Sequence, residues 1–514
     1  MVLPLCLSLV LTAGGCQVDS TSATLAAAAV PGAQASTLLA ANDGAAPNAS
    51  GASASSCGAL PPMPALPAKT RSVAEFGVKP SDTVDNTDGI QRALDSLKPG
   101  EWLVFPPGRY LHSKRLRVKV PNTVLWGDGA TLDATNPDDM AVMLEADGAS
   151  IYKFTLTGVT DKRRSAPWQS RIAVFGGADS ARLLSNNIVR GNRVVHAGDP
   201  GSQRANSSGS AAIFMYHAAN FLVAENTVSR SLSDGIHVTG GSSYGRVLNN
   251  TVTETGDDMI AVVSYIGDPS QSAQQVAGEY DARRAKGLSH HILIANNTVS
   301  GQYWGRGISV VGGENVTIEN NTIDKPSHGA AIYLARETSY LTFGVRNILV
   351  RNNTITDVQT TAPNYVAGTV SASANKTGHG AIEIYSWLFT DEADNAALRN
   401  ALAVQNIRIE SNTISRARGD GVRIGSGYGK TWSWTGKNKK DGSSFTRAIT
   451  GGPVGLISLA GNKMGSLGGK PIAINNAPTP EYNIACSNNT AEGKSASAPQ
   501  CEGNPPPIEP ACPL

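Results

Sequence analysis

Val316-Thr317-Ile318-Glu319-Asn320-Asn321-Thr322-Ile323 is a short alternating run that ends in paired asparagines, and the pair keeps returning. It recurs as Asn249-Asn250-Thr251-Val252, Asn296-Asn297-Thr298-Val299 and Asn352-Asn353-Thr354-Ile355. Looser copies are Asn186-Asn187-Ile188, Glu225-Asn226-Thr227-Val228, Ser411-Asn412-Thr413-Ile414 and Asn488-Asn489-Thr490. The second Asn advances by 24 residues from 226 to 250, by 47 to 297 and by 24 to 321. A period near 24 marks a solenoid in which each coil is one short repeat. The β-branched run before each pair reads as a strand, and Asn at its end suits a left-handed turn. Stacked coils would align the asparagines in a ladder. Glycosylation sequons would need no fixed phase against a strand, and the phase here is fixed.

The repeating body spans 72–485, ordinary for a stacked array and large for one globule. An open stack exposes strand edges and needs a cap. Thr87-Asp88 followed by Ile90, Ala93, Leu94 and Leu97 predicts an N-capped amphipathic helix for that purpose. Four stretches break the period and are expected as loops: 265–289, 357–377, 387–403 and 428–450, with a short helix possible at 391–402. The last loop carries Tyr428, Trp432, Trp434, Lys437, Lys439 and Lys440. Trp432 and Trp434 either stack on sugar rings or pack the loop onto the body.

Phe76-Gly77-Val78, Trp102 to Tyr110 and Leu125 to Leu132 resemble the entry coils of the pectin-lyase-like superfamily. The resemblance implies an all-β fold, a right-handed parallel β-helix. It says less about chemistry, because that superfamily hosts hydrolases, lyases, epimerases and non-enzymes.

A second pattern keeps phase with the asparagines. Polar residues open successive strands at Asp234-Gly235-Ile236, Asp257-Asp258-Met259-Ile260, Arg306-Gly307-Ile308, His328-Gly329-Ala330, His379-Gly380-Ala381 and Asp420-Gly421-Val422. If each opens the equivalent strand, these residues stack on one face at the ~4.8 Å strand spacing. Alternation then brings His237, Ser309 and Arg423 to the same face. Glu383 is placed there too, in a coil read as carrying an extra residue. Crowded carboxylates raise one another's pKa, which keeps one protonated as a general acid. Acidic residues at such turns can also simply cap strand ends, but a doubled Asp at a strand start is unusual, since like charges there are destabilising.

Ser233-Asp234-Gly235-Ile236 followed by Gly256-Asp257-Asp258-Met259-Ile260-Ala261 is similar to the paired motifs of the polygalacturonases, glycoside hydrolase family 28. Gly305-Arg306-Gly307-Ile308-Ser309-Val310-Val311-Gly312-Gly313 matches that family's next segment in place and rhythm. The resemblance implies an inverting hydrolase without metal or cofactor, in which Asp257 is the general acid and Asp234 with Asp258 holds the attacking water. Arg306 replaces the family His, and the family's Arg-Ile-Lys clamp for the uronate carboxylate falls at about Ala331-Ile332-Tyr333. Arg306, Arg336 and Arg423 are the candidates to replace that clamp. The substrate-binding set is therefore Arg306, His237, Ser309, His328, Tyr333, His379, Glu383, Arg423, Trp432 and Trp434, and the substrate an acidic or bacterial exopolysaccharide.

Two other functions use the same residues. A lyase or C5-epimerase on a uronate polymer would need a base near C5 and a cation at the carboxylate, supplied by Arg306 with His328 or His379, or instead with Ca2+ held on the three Asp. A non-catalytic surface protein would bind a glycan and keep that binding after loss of Asp257.

The net charge of +2 gives no reason to expect a nucleic-acid partner, and a monomer is expected. An apolar run at 5–13 leading to Ala13-Gly14-Gly15-Cys16 is similar to a bacterial lipoprotein signal, although no Lys or Arg precedes it. It implies a signal over 1–16, lipid on Cys16, and an exported chain that is either secreted or anchored in the outer membrane, facing periplasm or cell surface. Residues 17–71, rich in Ala, Ser and Pro, read as a tether. The remaining cysteines suggest two disulfides, Cys486 with Cys501 and Cys57 with Cys512, in a tail over 486–514.

Overall fold

The computed structural model describes residues 59–177, 182–197, 206–361, 376–425, 430–438, 441–475, 483–499, 501 and 503. Cys16, Cys57, Cys512, Tyr428, Lys439, Lys440 and the signal and tether up to residue 58 lie outside the described residues.

Three long parallel sheets wrap one core. One runs from Arg71–Ser72 through Gly313–Glu319 to Ile484–Ser487, and a second from Ser81–Asp85 through Thr322–Asp324 to Thr490–Ala491. The third runs from Leu116–Val118 through Ile308–Val311 to Ile472–Asn475. Each coil contributes one strand to each sheet, which makes the body a parallel β-helix. Inward-facing aliphatics hold the register. In the third sheet Ile236, Ile260, Ile308, Ile332, Ile382, Val422 and Ile472 align coil upon coil and are buried.

The asparagine ladder lies at the corner between the first and second sheets. Its members are Asn192, Asn226, Asn250, Asn297, Asn321, Asn353, Asn412, Asn462 and Asn489. Asn321 shows the pattern: its Nδ2 donates to Ile294 O and to Asn353 Oδ1, both at 3.0 Å, and its Oδ1 accepts from Asn297. The ladder thus satisfies backbone groups that the corner takes out of the sheets. The residue before each rung is left-handed, as at Asn320, Asn352 and Glu225. Asn186-Asn187 is not a rung, because it precedes the first-sheet strand Ile188–Arg190; the rung of that coil is Asn192. Asn192 and Asn462 follow left-handed Gly191 and Gly461, so Gly there does the work of the first Asn.

The cap is the helix Thr87–Asp95, which buries Ile90, Ala93 and Leu94 over the first coils. Asp85 Oδ1 accepts the Thr87 amide at 2.8 Å and satisfies its first turn. Residues 59–71 do not behave as a tether. Leu60 packs against the outside of the first sheet, and Pro61 O accepts from Arg190 at 2.8 Å. At the other end Cys486 belongs to the last first-sheet strand and is bonded to Cys501, so the tail begins later than residue 486.

Two of the expected loops are structured, and a third is largely so. The stretch 265–289 holds the helix Ala273–Gly287, started by a Ser272–Gln275 capping box. Within 387–403 the strand Ile382–Phe389 runs on into short helices Thr390–Asp394 and Ala396–Ala401. Within 428–450, strands Thr431–Lys437 and Ser444–Gly451 form an antiparallel hairpin, whose second strand pairs with Trp387–Phe389. These excursions share a satellite core of Val276, Phe343, Phe389, Leu398, Leu402 and Ile449. Fully buried Arg336 pairs with fully buried Glu392 at 2.7 Å and ties the frame to it. Arg336 is therefore not available to a substrate. Among the described residues no helix is long and apolar enough to cross a membrane.

Candidate active site

The third sheet's outer face carries the candidate residues, because its strands are short and in register. One outward column reads His237, Ala261, Ser309, Tyr333, Glu383 and Arg423, so Glu383 is in phase with its neighbours. Just before these strands, backbone bonds align Asp234, Asp258, Arg306 and Ala330: Gly235 N donates to Asp258 O, Met259 N to Arg306 O and Gly307 N to Ala330 O, each at 3.0 Å. Asp420 takes the corresponding place further along, where Ala381 N donates to its carbonyl. The two expected histidines are offset from this line. His328 lies two residues before Ala330 and stacks on Trp304 with ring centroids 4.1 Å apart. His379 lies one residue before Gly380, 5.3 Å from the Tyr333 ring.

The frame brings Asp234, Asp257 and Asp258 together, with one oxygen of each within 4.8 Å of the others. Gly305 makes that approach possible, since a Cβ there would strike Oδ1 of both Asp257 and Asp258 and its φ is +76°. Every carboxylate has its own partner. Asp234 accepts from His237 Nδ1, and Asp257 pairs with Arg163. Asp258 accepts the Arg306 amide at 2.6 Å and the Ser309 hydroxyl. The Arg306 guanidinium lies 3.8 Å from Asp258, bonds Glu337, and sits 4.2 Å over the Tyr333 ring.

These partners separate two adjacent carboxyls. Burial pushes Asp257 up, but Arg163 and then Arg306 outweigh it and hold the group below the usual carboxylate range. Burial, reinforced by the charges of Asp257 and Asp234, raises Asp258 to about 8 despite Arg306. General-acid chemistry at Asp257 predicts that its carboxyl is the raised one. Of the two neighbours it is Asp258 that is raised, because Arg163 pairs with Asp257.

The cleft around the trio has a cavity volume of about 110 Å³ and is lined also by Arg163, His237, Arg306, Glu337, Tyr340 and Phe214. Arg163 and Glu337 are absent from the sequence reading. The run Lys162-Arg163-Arg164 was a visible signal, but nothing in it told that the coil's excursion folds back over strands 94 residues later. Ser309, Tyr333 and Glu383 are buried and support the cleft floor. Arg423 bonds Glu383 at 2.7 Å, and Gly380 N donates to the same carboxylate at 2.9 Å. Neither hairpin tryptophan lines the cleft around the trio. Trp434 packs between Phe389 and Phe445, whereas Trp432 is 39% exposed, 6.2 Å from Trp387. The three carboxylates are also a set that could hold a divalent cation, with the Arg163 and Arg306 guanidinium groups beside them.

A polar cleft on the outer face of one sheet, over an unbroken stack of coils, defines a right-handed parallel β-helix protein; residues 286–445 match the right handed β-helix region. Residues 70–360, more than half of the chain, match the family described as rhamnogalacturonase A/epimerase, pectate lyase-like, and the chain belongs to that family. Among solved structures it is similar to the catalytic domain of a GH87 α-1,3-glucanase in complex with nigerose, with 16% identity over 84% of this chain and 70% of that one, and a TM-score of 0.53. It is also similar to the catalytic unit of a thermostable GH87 α-1,3-glucanase from Streptomyces thermodiastaticus (14% identity, 87% and 73% covered, TM-score 0.47). A third is the A-module of a mannuronan C-5 epimerase from Azotobacter vinelandii (15% identity, 84% and 100% covered, TM-score 0.44). At these identities the likeness is one of fold. No curated protein matches the chain in sequence.

Proposed function

We propose that the protein is a polysaccharide-cleaving glycoside hydrolase that works through Asp234, Asp257 and Asp258. The observation that carries this reading is the convergence of three carboxyls from two adjacent coils in one cleft, with one oxygen of each within 4.8 Å of the others. Carboxyls held that close do not all stay ionised, so one of the set carries a proton while another remains basic. The more accessible Asp257 faces the cleft and is the group to protonate the leaving oxygen once it has gained a proton. In this reading Asp234, bonded to His237, takes the water's proton, and Asp258, bonded to Ser309 and the Arg306 amide, orients that water.

The trio's nearest oxygens are closer than the ~6.5–9.5 Å between carboxyl groups of inverting enzymes. Direct attack by water with inversion is what the resemblance to the polygalacturonases implies, and the first-formed anomer decides it. The reading needs no metal, since guanidinium groups already supply the positive charge at the trio.

The test is incubation with rhamnogalacturonan, polygalacturonate, α-1,3-glucan, alginate and bacterial exopolysaccharides, with products read by mass and the first-formed anomer by NMR. New reducing ends with inverted configuration are expected. Unsaturated ends absorbing in the ultraviolet would replace the hydrolase with a lyase.

A further inference from the structure

Arg163 enters the cleft from outside the repeating frame. It sits on the connection between strands Thr155–Gly158 and Ile172–Phe175, and its guanidinium bonds Asp257. The other arginines of the cleft are committed to its walls. Arg164 holds Asp138 at 2.6 Å as well as the Thr160 hydroxyl, and Arg306 lies between Tyr333 and Glu337. Their side chains are 10% and 21% exposed, against 46% for Arg163. The most accessible cation of the cleft is therefore the one that covers the accessible member of the trio.

We propose that Arg163 is a displaceable counter-ion: a carboxylate or sulfate on the substrate glycan takes its guanidinium, and Asp257, so uncovered, becomes the proton donor. This rests on the hydrolase reading. The exchange trades one charge-assisted pair for another, and Asp257, left in a buried site without its counter-ion, takes up a proton from solvent rather than remaining an unpaired charge. Around Asp257 the remaining positive groups are Arg306, shared with Asp258 and Glu337, and His328. Against them stand the burial of the group, which is the largest influence on it, and the neighbouring Asp234 carboxylate. Burial and these neighbours then favour protonated Asp257. Its proton passes to the glycosidic oxygen as the C–O bond breaks; water adds to the anomeric carbon and gives its own proton to Asp234. A neutral glycan would leave Arg163 in place and Asp257 ionised, so the device selects charged chains.

The experiment uses the whole protein, Arg163→Gln and Arg163→Lys. Binding is read by affinity electrophoresis in polygalacturonate, in its carboxyl-reduced form, in dextran sulfate and in dextran. Wild type should be retarded by a charged polymer and not by its neutral counterpart, which also separates carboxylate from sulfate. Arg163→Gln should lose that retardation and Arg163→Lys should keep part of it. Cleavage should follow: the rate ratio of charged to neutral polymer should fall about tenfold or more in Arg163→Gln, and the pH profile of kcat/KM should shift upward on the neutral polymer. Equal retardation of wild type and Arg163→Gln, or of wild type by charged and neutral polymers, overturns the proposal. Retardation that depends on Arg163 with no polymer cleaved keeps the clamp and removes the hydrolase.

Discussion

Ser309 and Asp258 stand on neighbouring coils, and the Ser309 hydroxyl donates to Asp258 Oδ2. The bond favours the ionised carboxylate and so opposes the burial that holds Asp258 near 8. Ser309→Ala should push Asp258 higher still. If turnover needs the trio's proton, the alkaline limb of the kcat profile should move to higher pH. An alkaline limb that stays in place would detach Asp258 from the chemistry.

Asp257→Asn and Asp258→Asn keep the side-chain shape and remove a titrating group. Each should lower kcat by about 10²–10⁴-fold, the usual worth of general acid–base catalysis. The double variant should cost little more than the worse single one, because the groups act as a unit. Unaltered turnover in Asp257→Asn would remove the hydrolase reading.

Asn321→Ala breaks the ladder in mid-stack. It leaves the Ile294 carbonyl and the Asn297 amide without their side-chain partner. Each buried group left unpaired costs about 1–3 kcal/mol. Urea unfolding should show a loss in that range or above. A loss below ~0.5 kcal/mol, typical of surface sites, would mean that the ladder only decorates the corner.

Glu383 is buried, and burial raises it to about 7 even though Arg423 pulls it back. A carboxyl raised on folding binds its proton more tightly in the native state. Its contribution is complete below the ordinary Glu value and is lost as pH rises through about 7. Glu383→Gln should flatten that decline, so melting temperatures taken between about pH 5 and pH 8 should fall less in the variant. Parallel curves for the two proteins would place the titration elsewhere.

The frame was legible in the sequence because the ladder repeats identity as well as polarity. Asn250, Asn297, Asn321 and Asn353 are each one rung, and the strand alternation follows from them. Asp234, Asp257, Asp258, Arg306 and Ser309 were legible for the same reason, since register transmits position along the stack. His328 and His379 were displaced by one or two residues because their turns differ in length, which a motif ending in Gly-Ala does not reveal. Arg163 and Glu337 come from excursions, where no repeat carries information from one coil to the next. The helix Ala273–Gly287 had a cue in Ser272 and Gln275, but its partners, Leu398 and Leu402, lie on another excursion.

Ile236 and Ile260 are separated by one coil's worth of chain, whereas Ile260 and Ile308 are separated by twice as much, yet both pairs align in the same register. The extra chain leaves after Val263 and returns before His290 without disturbing the stack. Chain length between coils is thus a tolerated variable, and the satellite core gives the added segments one another to pack on. For protein engineering this makes the excursions exchangeable parts. Grafting a foreign segment between Val263 and His290 should alter which glycans are accepted while leaving the melting of the stack nearly unchanged, provided the segment presents an apolar side chain to the satellite core in the place of Val276.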